Sequence, residues 1–115
     1  MNDTVSYHRE GDIGIIRVAN PPVNALSHSV RSGLMAALER SWEDDSSALV
    51  LLCEGRTFIA GADITEFGKP PREPVLGEGL ATLDQHPKLT VAAIHGAAMG
   101  GGLELTLGCT VRIAS

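Results

Sequence analysis

Aromatic side chains are scarce in this chain, at 3% of its 115 residues. Hydrophobic residues nevertheless make up 43% of the sequence, which is ordinary for a globular protein. Any core must therefore be built from Ile, Leu, Val and Ala. The length corresponds to about one domain or part of one.

The sequence also lacks a run rich in Lys or Arg, and its formal net charge is −5. Because non-specific nucleic-acid binding rests on neutralising phosphates, the composition argues against a nucleic-acid partner. The most apolar stretch, residues 89–107, is interrupted by His95, Glu104 and several glycines, so we expect no membrane span. Residues 1–4 show no secretory signal pattern.

Only two cysteines occur, Cys53 and Cys109, and both lie within apolar runs. This pattern predicts buried, reduced thiols rather than a disulfide framework, as is typical of an intracellular protein, and we expect a cytoplasmic location. No metal site is expected, because metal-ligand spacing is absent from the four histidines, His8, His28, His86 and His95.

Strand-like and helix-like segments alternate along the chain, which predicts an α/β fold. Turn residues that include Gly11 and Gly14 separate two strands of a hairpin, and apolar runs predict three further strands. The first two of these runs have the composition of strands covered on both faces. The five predicted strands are residues 4–8, 13–19, 48–53, 89–95 and 110–114.

Two longer helices are predicted between these strands. Ser27 or Ser29 can cap the first helix, whose apolar stripe consists of Val30, Leu34, Leu38 and Trp42. The second covers residues 75–86, with Leu80 and Leu83 buried, and ends before Pro87. A short third helix is expected at residues 103–107.

Residues 99–104, Met-Gly-Gly-Gly-Leu-Glu, are the most informative stretch. Glycine allows backbone amides to approach a ligand closely, and the first amides of a helix have no partner within it and favour negative charge. Glu104 would lie in that first turn as a candidate general base. The alternative is a plain strand-to-helix turn in which Glu104 only starts the helix.

A second glycine turn, at residues 60–62, follows the strand predicted at residues 48–53. Ligands bind in loops beyond strand ends in α/β sheets, so one N–H from each turn could converge on a single oxygen. Loss of one such oxyanion donor costs about 10²–10³ in rate, and an acid/base group such as Glu104 contributes about 10²–10⁴. Asp63 is explained more simply as a helix cap.

Three segments in this order resemble the crotonase (enoyl-CoA hydratase/isomerase) superfamily. They are residues 20–26 (NPPVNAL), 58–64 (FIAGADI) and 95–105 (HGAAMGGGLEL). The resemblance implies that residues 1–115 form an incomplete crotonase-type ββα superhelix, the N-terminal half of its core. The resemblance is strongest to the N-terminal part of multifunctional fatty-acid β-oxidation enzymes, in which this domain precedes a 3-hydroxyacyl-CoA dehydrogenase.

The resemblance also implies the roles of individual residues. The Ala62 and Gly101 amides would hold the thioester carbonyl, and Glu104 would be one of two glutamates that add water syn to a 2-enoyl-CoA. The Ala60 carbonyl would face the adenine amine. Residues implied to contact the coenzyme A thioester are Asn24, Ala25, Leu26, Ala60, Gly61, Ala62, Asp63, Ile64 and Gly101.

We therefore expect enoyl-CoA hydratase activity, with Δ3–Δ2-enoyl-CoA isomerase activity as an addition. The alternatives are another acyl-CoA reaction of the superfamily, such as hydrolysis or decarboxylation, and a non-catalytic acyl-CoA-binding fragment. No cofactor is expected in this segment, since NAD would belong to a dehydrogenase half. Besides the acyl-CoA substrate, the expected partners are further copies of this chain or a thiolase-type subunit.

The second glutamate of the family pattern would lie beyond Ser115. We therefore expect the chain to be part of a longer domain and inactive by itself. Partly uncovered apolar faces on residues 48–53 and 89–95 would promote self-association.

Overall fold

The computed structural model describes residues 3–55, 57–60, 81–83, 85–96, 98–99 and 108–114. One long helix and seven strands follow one another in these residues. In chain order they are β1 (Val5–Glu10), β2 (Ile13–Val18), α1 (His28–Glu43), β3 (Ala48–Cys53), β4 (Ile59–Ala60), β5 (Leu89–Ile94), β6 (Ala98–Met99) and β7 (Val111–Ala114). The predicted alternation of strands and helices is confirmed.

The strands form two sheets. The larger has the order β1-β2-β3-β5-β7, with β1 antiparallel to β2 and all other pairs parallel. The smaller is the parallel pair β4 and β6. The chain thus passes twice from a strand of the large sheet to a short strand of the small one. This repeated path agrees with the ββα superhelix that the resemblance implied, although the two passes share no obvious sequence repeat.

The β1–β2 hairpin turns at Gly11, whose φ of 59° suits glycine. Gly14 was predicted to belong to that turn, and this is wrong: it lies in β2, paired with Arg9. A Cβ built there would lie 2.7 Å from Leu49 Cδ2 and 2.8 Å from Tyr7 Cε1. Gly14 is therefore needed for packing between the strands on either side of it.

Helix α1 begins where the sequence predicted. Ser27 is its N-cap, and its hydroxyl accepts a hydrogen bond from the Val30 N–H at 3.3 Å. The predicted stripe is confirmed for Val30, Leu34 and Leu38, which are buried. Trp42 was assigned to the same stripe wrongly, since it is 41% exposed and contacts the His86 ring instead.

The core lies on one face of the large sheet. Along β3, burial alternates: Leu49, Leu51 and Cys53 are buried, and the residues between them are half-buried. The second face of β3 is only partly covered, as expected for residues 48–53 in this chain. The side chains that form the core are Val5, Ile16, Val18, Leu26, Val30, Leu34, Ala37, Leu38, Leu49, Leu51, Cys53, Phe58, Ile59, Leu83, Ala92 and Cys109.

The far side of the sheet is less covered. In β5 only Thr90 and Ala92 are buried, so the partly uncovered face expected at residues 89–95 is present as well. All four residues of β7 are exposed, and Ile113 reaches 61% exposure. Apolar surface therefore faces solvent along β7, an edge strand of the sheet.

The second predicted helix is described only in part. Residues 81–83 and 85 are helical, and Leu83 is buried as predicted. Leu80, the rest of that helix and the third helix at residues 103–107 lie outside the described residues. Within the described part of the chain, no helix is both long and apolar enough to cross a membrane.

Candidate functional site

The carboxyl ends of β2 and β3 lie side by side, because Val18 pairs with Cys53 in the parallel register. The chain leaves the sheet at this edge in the loop of residues 19–26 and in the β3–β4 connection, by which we mean the described residues 54, 55, 57 and 58. Together these segments form a partly open cleft of about 180 Å³. Its walls are Ala19, Asn20, Pro21, Pro22, Asn24, Glu54 and Gly55.

Hydrogen bonds of the Asn24 side chain connect these two segments. Its side chain is 2% exposed, and its φ of 54° is unusual for a residue with a side chain, although Asn tolerates it. The side-chain amide Nδ2 donates to three carbonyl oxygens of the β3–β4 connection, at 2.8, 3.1 and 3.0 Å. These carbonyls belong to Glu54, Thr57 and Phe58.

A second side chain reaches the same connection from the end of β5. His95 Nε2 donates to the Gly55 carbonyl at 2.6 Å. His95 makes this hydrogen bond although it is exposed. The loops that follow β3 and β5 are thus in direct contact.

The small sheet aligns the two segments that lead into the glycine turns. Ile59 pairs with Ala98, and Ala60 pairs with Met99, in parallel. In sequence, Ala62 lies two residues beyond Ala60, and Gly101 lies two residues beyond Met99. The two amides predicted to form an oxyanion hole therefore follow register partners at the same offset.

The structure describes only some of the predicted substrate contacts. Asn24 and Leu26 are buried, Ala25 is half-buried, and Ala60 ends β4. The Ala25 carbonyl accepts a hydrogen bond from the Asn20 side chain at 3.0 Å. Their roles toward coenzyme A stay predictions. The remaining predicted contacts lie outside the described residues, namely Gly61, Ala62, Asp63, Ile64, Gly101 and Glu104.

The two cysteine thiols are poorly suited to nucleophilic chemistry. Burial raises the pKa of the Cys53 thiol to about 12 and also raises that of Cys109, so neither forms a thiolate readily. Neither cysteine is in a disulfide, and both are buried, as predicted. Among the described residues, no cluster of His, Cys, Asp and Glu could hold a metal ion.

A polar cluster at the opposite edge of the sheet was not predicted from the sequence. Lys88 Nζ donates to Asp44 Oδ1 at 2.7 Å, to the Asp44 carbonyl and Ser46 Oγ at 2.8 Å each, and to the Ser41 carbonyl. Tyr7 also donates to Asp44. Burial alone would raise the pKa of Asp44, but hydrogen bonds from Lys88, Ser46 and Tyr7 hold it well below its usual range. This cluster joins the end of α1 to the start of β5.

Comparison with known proteins identifies the family. The sequence pattern of the enoyl-CoA hydratase/isomerase family matches residues 8–115. The chain belongs to this family. The predicted crotonase-type fold is confirmed as well, since solved structures of the family superpose on nearly the whole chain.

Two of these structures illustrate the likeness. DspI of Pseudomonas aeruginosa matches 99% of this chain with a TM-score of 0.89 and 32% identity, and the chain covers 50% of it. Enoyl-CoA hydratase subunit I of Geobacillus kaustophilus matches 97% with a TM-score of 0.83 and 36% identity, and the chain covers 46% of it. The described residues therefore have the arrangement of the first half of a hydratase/isomerase fold.

Curated relatives give the same assignment by sequence. The peroxisomal bifunctional enzyme of Danio rerio is 45% identical over 103 residues, which are 89% of this chain and 14% of that enzyme. The probable enoyl-CoA hydratase of Bacillus subtilis is 38% identical over 111 residues, which are 90% of this chain and 43% of that protein. The chain thus spans less than half the length of these relatives.

Proposed function

We propose that residues 1–115 form the first half of a domain that hydrates 2-enoyl-CoA thioesters. The supporting observation is the β4–β6 pair, in which Ala60 and Met99 are register partners. Each partner is followed by one of the two glycine turns. This arrangement favours two amides, of Ala62 and Gly101, that share one thioester carbonyl oxygen.

The chemistry follows from that arrangement. Water adds to C3 of the enoyl group, the electron pair of the double bond moves toward the thioester, and negative charge develops on the carbonyl oxygen. Two fixed N–H donors stabilise that charge. Glu104 and a second carboxylate remove the proton from the attacking water and deliver a proton to C2. No net oxidation occurs, so hydration needs no cofactor.

Proteins related to this chain suggest its wider setting. Several are named as bifunctional or multifunctional β-oxidation proteins of peroxisomes or glyoxysomes. We propose that the domain acts on acyl-CoA in fatty-acid β-oxidation, with Δ3–Δ2 isomerisation as an added activity. A following NAD-dependent 3-hydroxyacyl-CoA dehydrogenase, assembly with itself or with a thiolase-type subunit, and a cytoplasmic location remain part of this proposal.

A hydration assay with crotonyl-CoA on the complete domain that includes residues 1–115 tests the function. Glu104→Gln removes the proposed base and should lower kcat by about 10²–10⁴. Glu39→Gln is the matched control, because Glu39 is exposed on α1 and is not among the residues that line the cleft. We expect its kcat to stay within threefold. Equal kcat for both variants, or no hydration by the parent, would overturn the proposal.

A further inference from the structure

The β3–β4 connection is held by hydrogen bonds from outside itself. Four of its carbonyls accept them, three from Asn24 and one from His95. Asn24 lies 30–34 residues before the carbonyls that it holds, and His95 lies 40 residues after Gly55. The position of this connection is therefore set by the loop after β2 and by the end of β5.

The polar groups of Asn24 are committed to these contacts. Its Oδ1 accepts from the Asn20 N–H at 2.8 Å, and its own N–H donates to the Asn20 carbonyl at 2.8 Å. The two hydrogens on Nδ2 are shared among three carbonyls. With 2% exposure, the side chain has no free donor for a ligand.

The connection leads directly into the strand that precedes the first glycine turn. The Phe58 carbonyl accepts a hydrogen bond from Asn24 Nδ2 at 3.0 Å. Phe58 is followed by Ile59, and both residues are fully buried. Ile59 and Ala60 then pair with β6. A shift of the connection would move β4 against β6 and misalign whatever follows the two strands.

We propose that Asn24 is a positioning residue for the hydration reaction, an inference that rests on the function proposed above. It fixes β4 so that the Ala62 amide comes into line with that of Gly101, and it does not contact the substrate through its side chain. Its effect therefore falls on stabilisation of the oxyanion, which develops in the transition state, and not on binding of the coenzyme A portion.

Asn24→Asp in the complete domain is the sharpest test. The change keeps size, tolerance of positive φ and the acceptor for the Asn20 N–H, but it turns a carboxylate oxygen toward three carbonyls. Gln85→Glu is the matched control, because it makes the same amide-to-carboxylate change at an exposed residue that is not among those lining the cleft. We expect Asn24→Asp to lower kcat at least 30-fold with KM changed less than threefold, and Gln85→Glu to change both less than threefold.

The kinetic pattern separates the competing roles. A rise in KM with kcat preserved would mean that Asn24 contacts the ligand, and unchanged values for both would mean that it acts in folding only. Either result would overturn the inference. Asn24→Gly, which permits the positive φ but removes the donors, repeats the test if Asn24→Asp does not fold, and the same fall in kcat is expected.

A second measurement needs no substrate. Hydrogen exchange of the Ile59 and Ala60 amides should accelerate at least tenfold in Asn24→Asp and stay unchanged in Gln85→Glu. Unaltered exchange in Asn24→Asp would contradict the inference. If the unsubstituted domain hydrates no 2-enoyl thioester, the proposed function fails, and this exchange measurement still decides whether Asn24 positions β4.

Discussion

At the scale of single residues, two positions in this chain depend on space and backbone geometry rather than on chemistry. Gly14 lies beneath the side chains of Tyr7 and Leu49, which come from the two strands that flank β2. Gly11 has open space around it but a positive φ. Substitution should therefore affect the two glycines for different reasons.

We expect Gly14→Ala to lower the free energy of unfolding by about 1–3 kcal/mol, the usual cost of inserting a methyl group into a packed core. The Tyr7 ring cannot move away freely, because its hydroxyl is bonded to Asp44. Urea denaturation measures the loss. Gly11→Asn serves as the control, since Asn tolerates positive φ, and it should cost less than 0.5 kcal/mol. A loss for Gly14→Ala no larger than that of the control would contradict the packing account.

Individual residues also show what could be predicted from the sequence. Three features that depend on neighbours within a few positions were predicted correctly. They are the N-cap at Ser27, one of the two serines considered, the burial of both thiols, and the part of the α1 stripe formed by Val30, Leu34 and Leu38. The hydrogen bonds of Asn24 could not be predicted from the sequence, because their acceptors are carbonyls 30–34 residues away. Gly14 was misassigned for the same reason, since glycine favours both turns and close packing.

At the scale of elements, the end of α1 and the start of β5 are joined by Lys88. Its side chain is 12% exposed, and its ammonium group lies near the C-terminus of the helix, where a cation is favoured. Lys88→Met would remove the nearer cation of Asp44, at 2.7 Å, and leave only the more distant Arg9, at 3.9 Å, among the described ion pairs. We expect a loss of about 1.5–3 kcal/mol in the free energy of unfolding, as for hydrogen bonds to charged groups. Denaturation at pH 7 measures this loss. An unchanged free energy of unfolding in Lys88→Met would show that the cluster contributes nothing to stability.

The same cluster has an acid dependence of known sign. The folded-state pKa of Asp44 lies below its ordinary value of 3.8, so its contribution is complete above that pH and is lost as the pH falls toward the folded value. In Lys88→Met this part of the loss should shrink, because the main hydrogen-bond donor that lowers the pKa is gone. Melting curves between pH 5 and pH 2.5 would reveal the difference. Parallel losses in both proteins would contradict this assignment.

His86 predicts a second pH dependence, nearer neutrality. Its Nδ1 accepts from the Lys88 N–H at 3.2 Å, and its Nε2 bonds to Ser41 Oγ at 3.1 Å. Burial and the Lys88 charge lower its pKa from 6.5, so the folded state holds the ring neutral. Stability should therefore fall as the pH drops below 6.5, since the unfolded chain binds the proton more readily.

His86→Asn tests this assignment, because Asn can keep an acceptor for the Lys88 N–H but does not titrate. We expect the wild-type chain to lose more stability than His86→Asn between pH 7.5 and pH 5.5, as measured by thermal unfolding. His8→Asn is the control, since the His8 side chain is 42% exposed and lies on β1, where it faces Glu10 at 3.7 Å. Equal losses in the wild type and His86→Asn would rule out the histidine as the cause.

Elements were predicted more reliably than their burial. The positions of β1, β2, α1, β3, β5 and β7 agree with the sequence to within a few residues. The partly covered faces of β3 and β5 were expected because the resemblance implies a longer domain, since apolar composition alone does not specify what packs on each face of a strand. The two-residue strands β4 and β6 are too short for any periodicity to predict, although they align the candidate site.

At the scale of the whole molecule, the exposed apolar side chains of the large sheet have a consequence for behaviour in solution. Val111 and Ile113 lie on the edge strand β7, and Leu89 is 46% exposed on the neighbouring β5. Exposed edges and apolar patches promote association. We expect the 115-residue chain to self-associate, and Ile113→Lys to reduce this. Sedimentation velocity at several concentrations measures both, and a monomeric wild-type chain would contradict the expectation.

The account as a whole depends on two distant turns sharing one ligand atom. The most direct test is a crystal structure of the complete domain with a bound 2-enoyl-CoA or an unreactive acyl-CoA. We predict that the Ala62 and Gly101 nitrogens both lie about 2.7–3.1 Å from the thioester carbonyl oxygen, the range expected of an oxyanion hole. A carbonyl held by only one of them, or by neither, would contradict the proposed function.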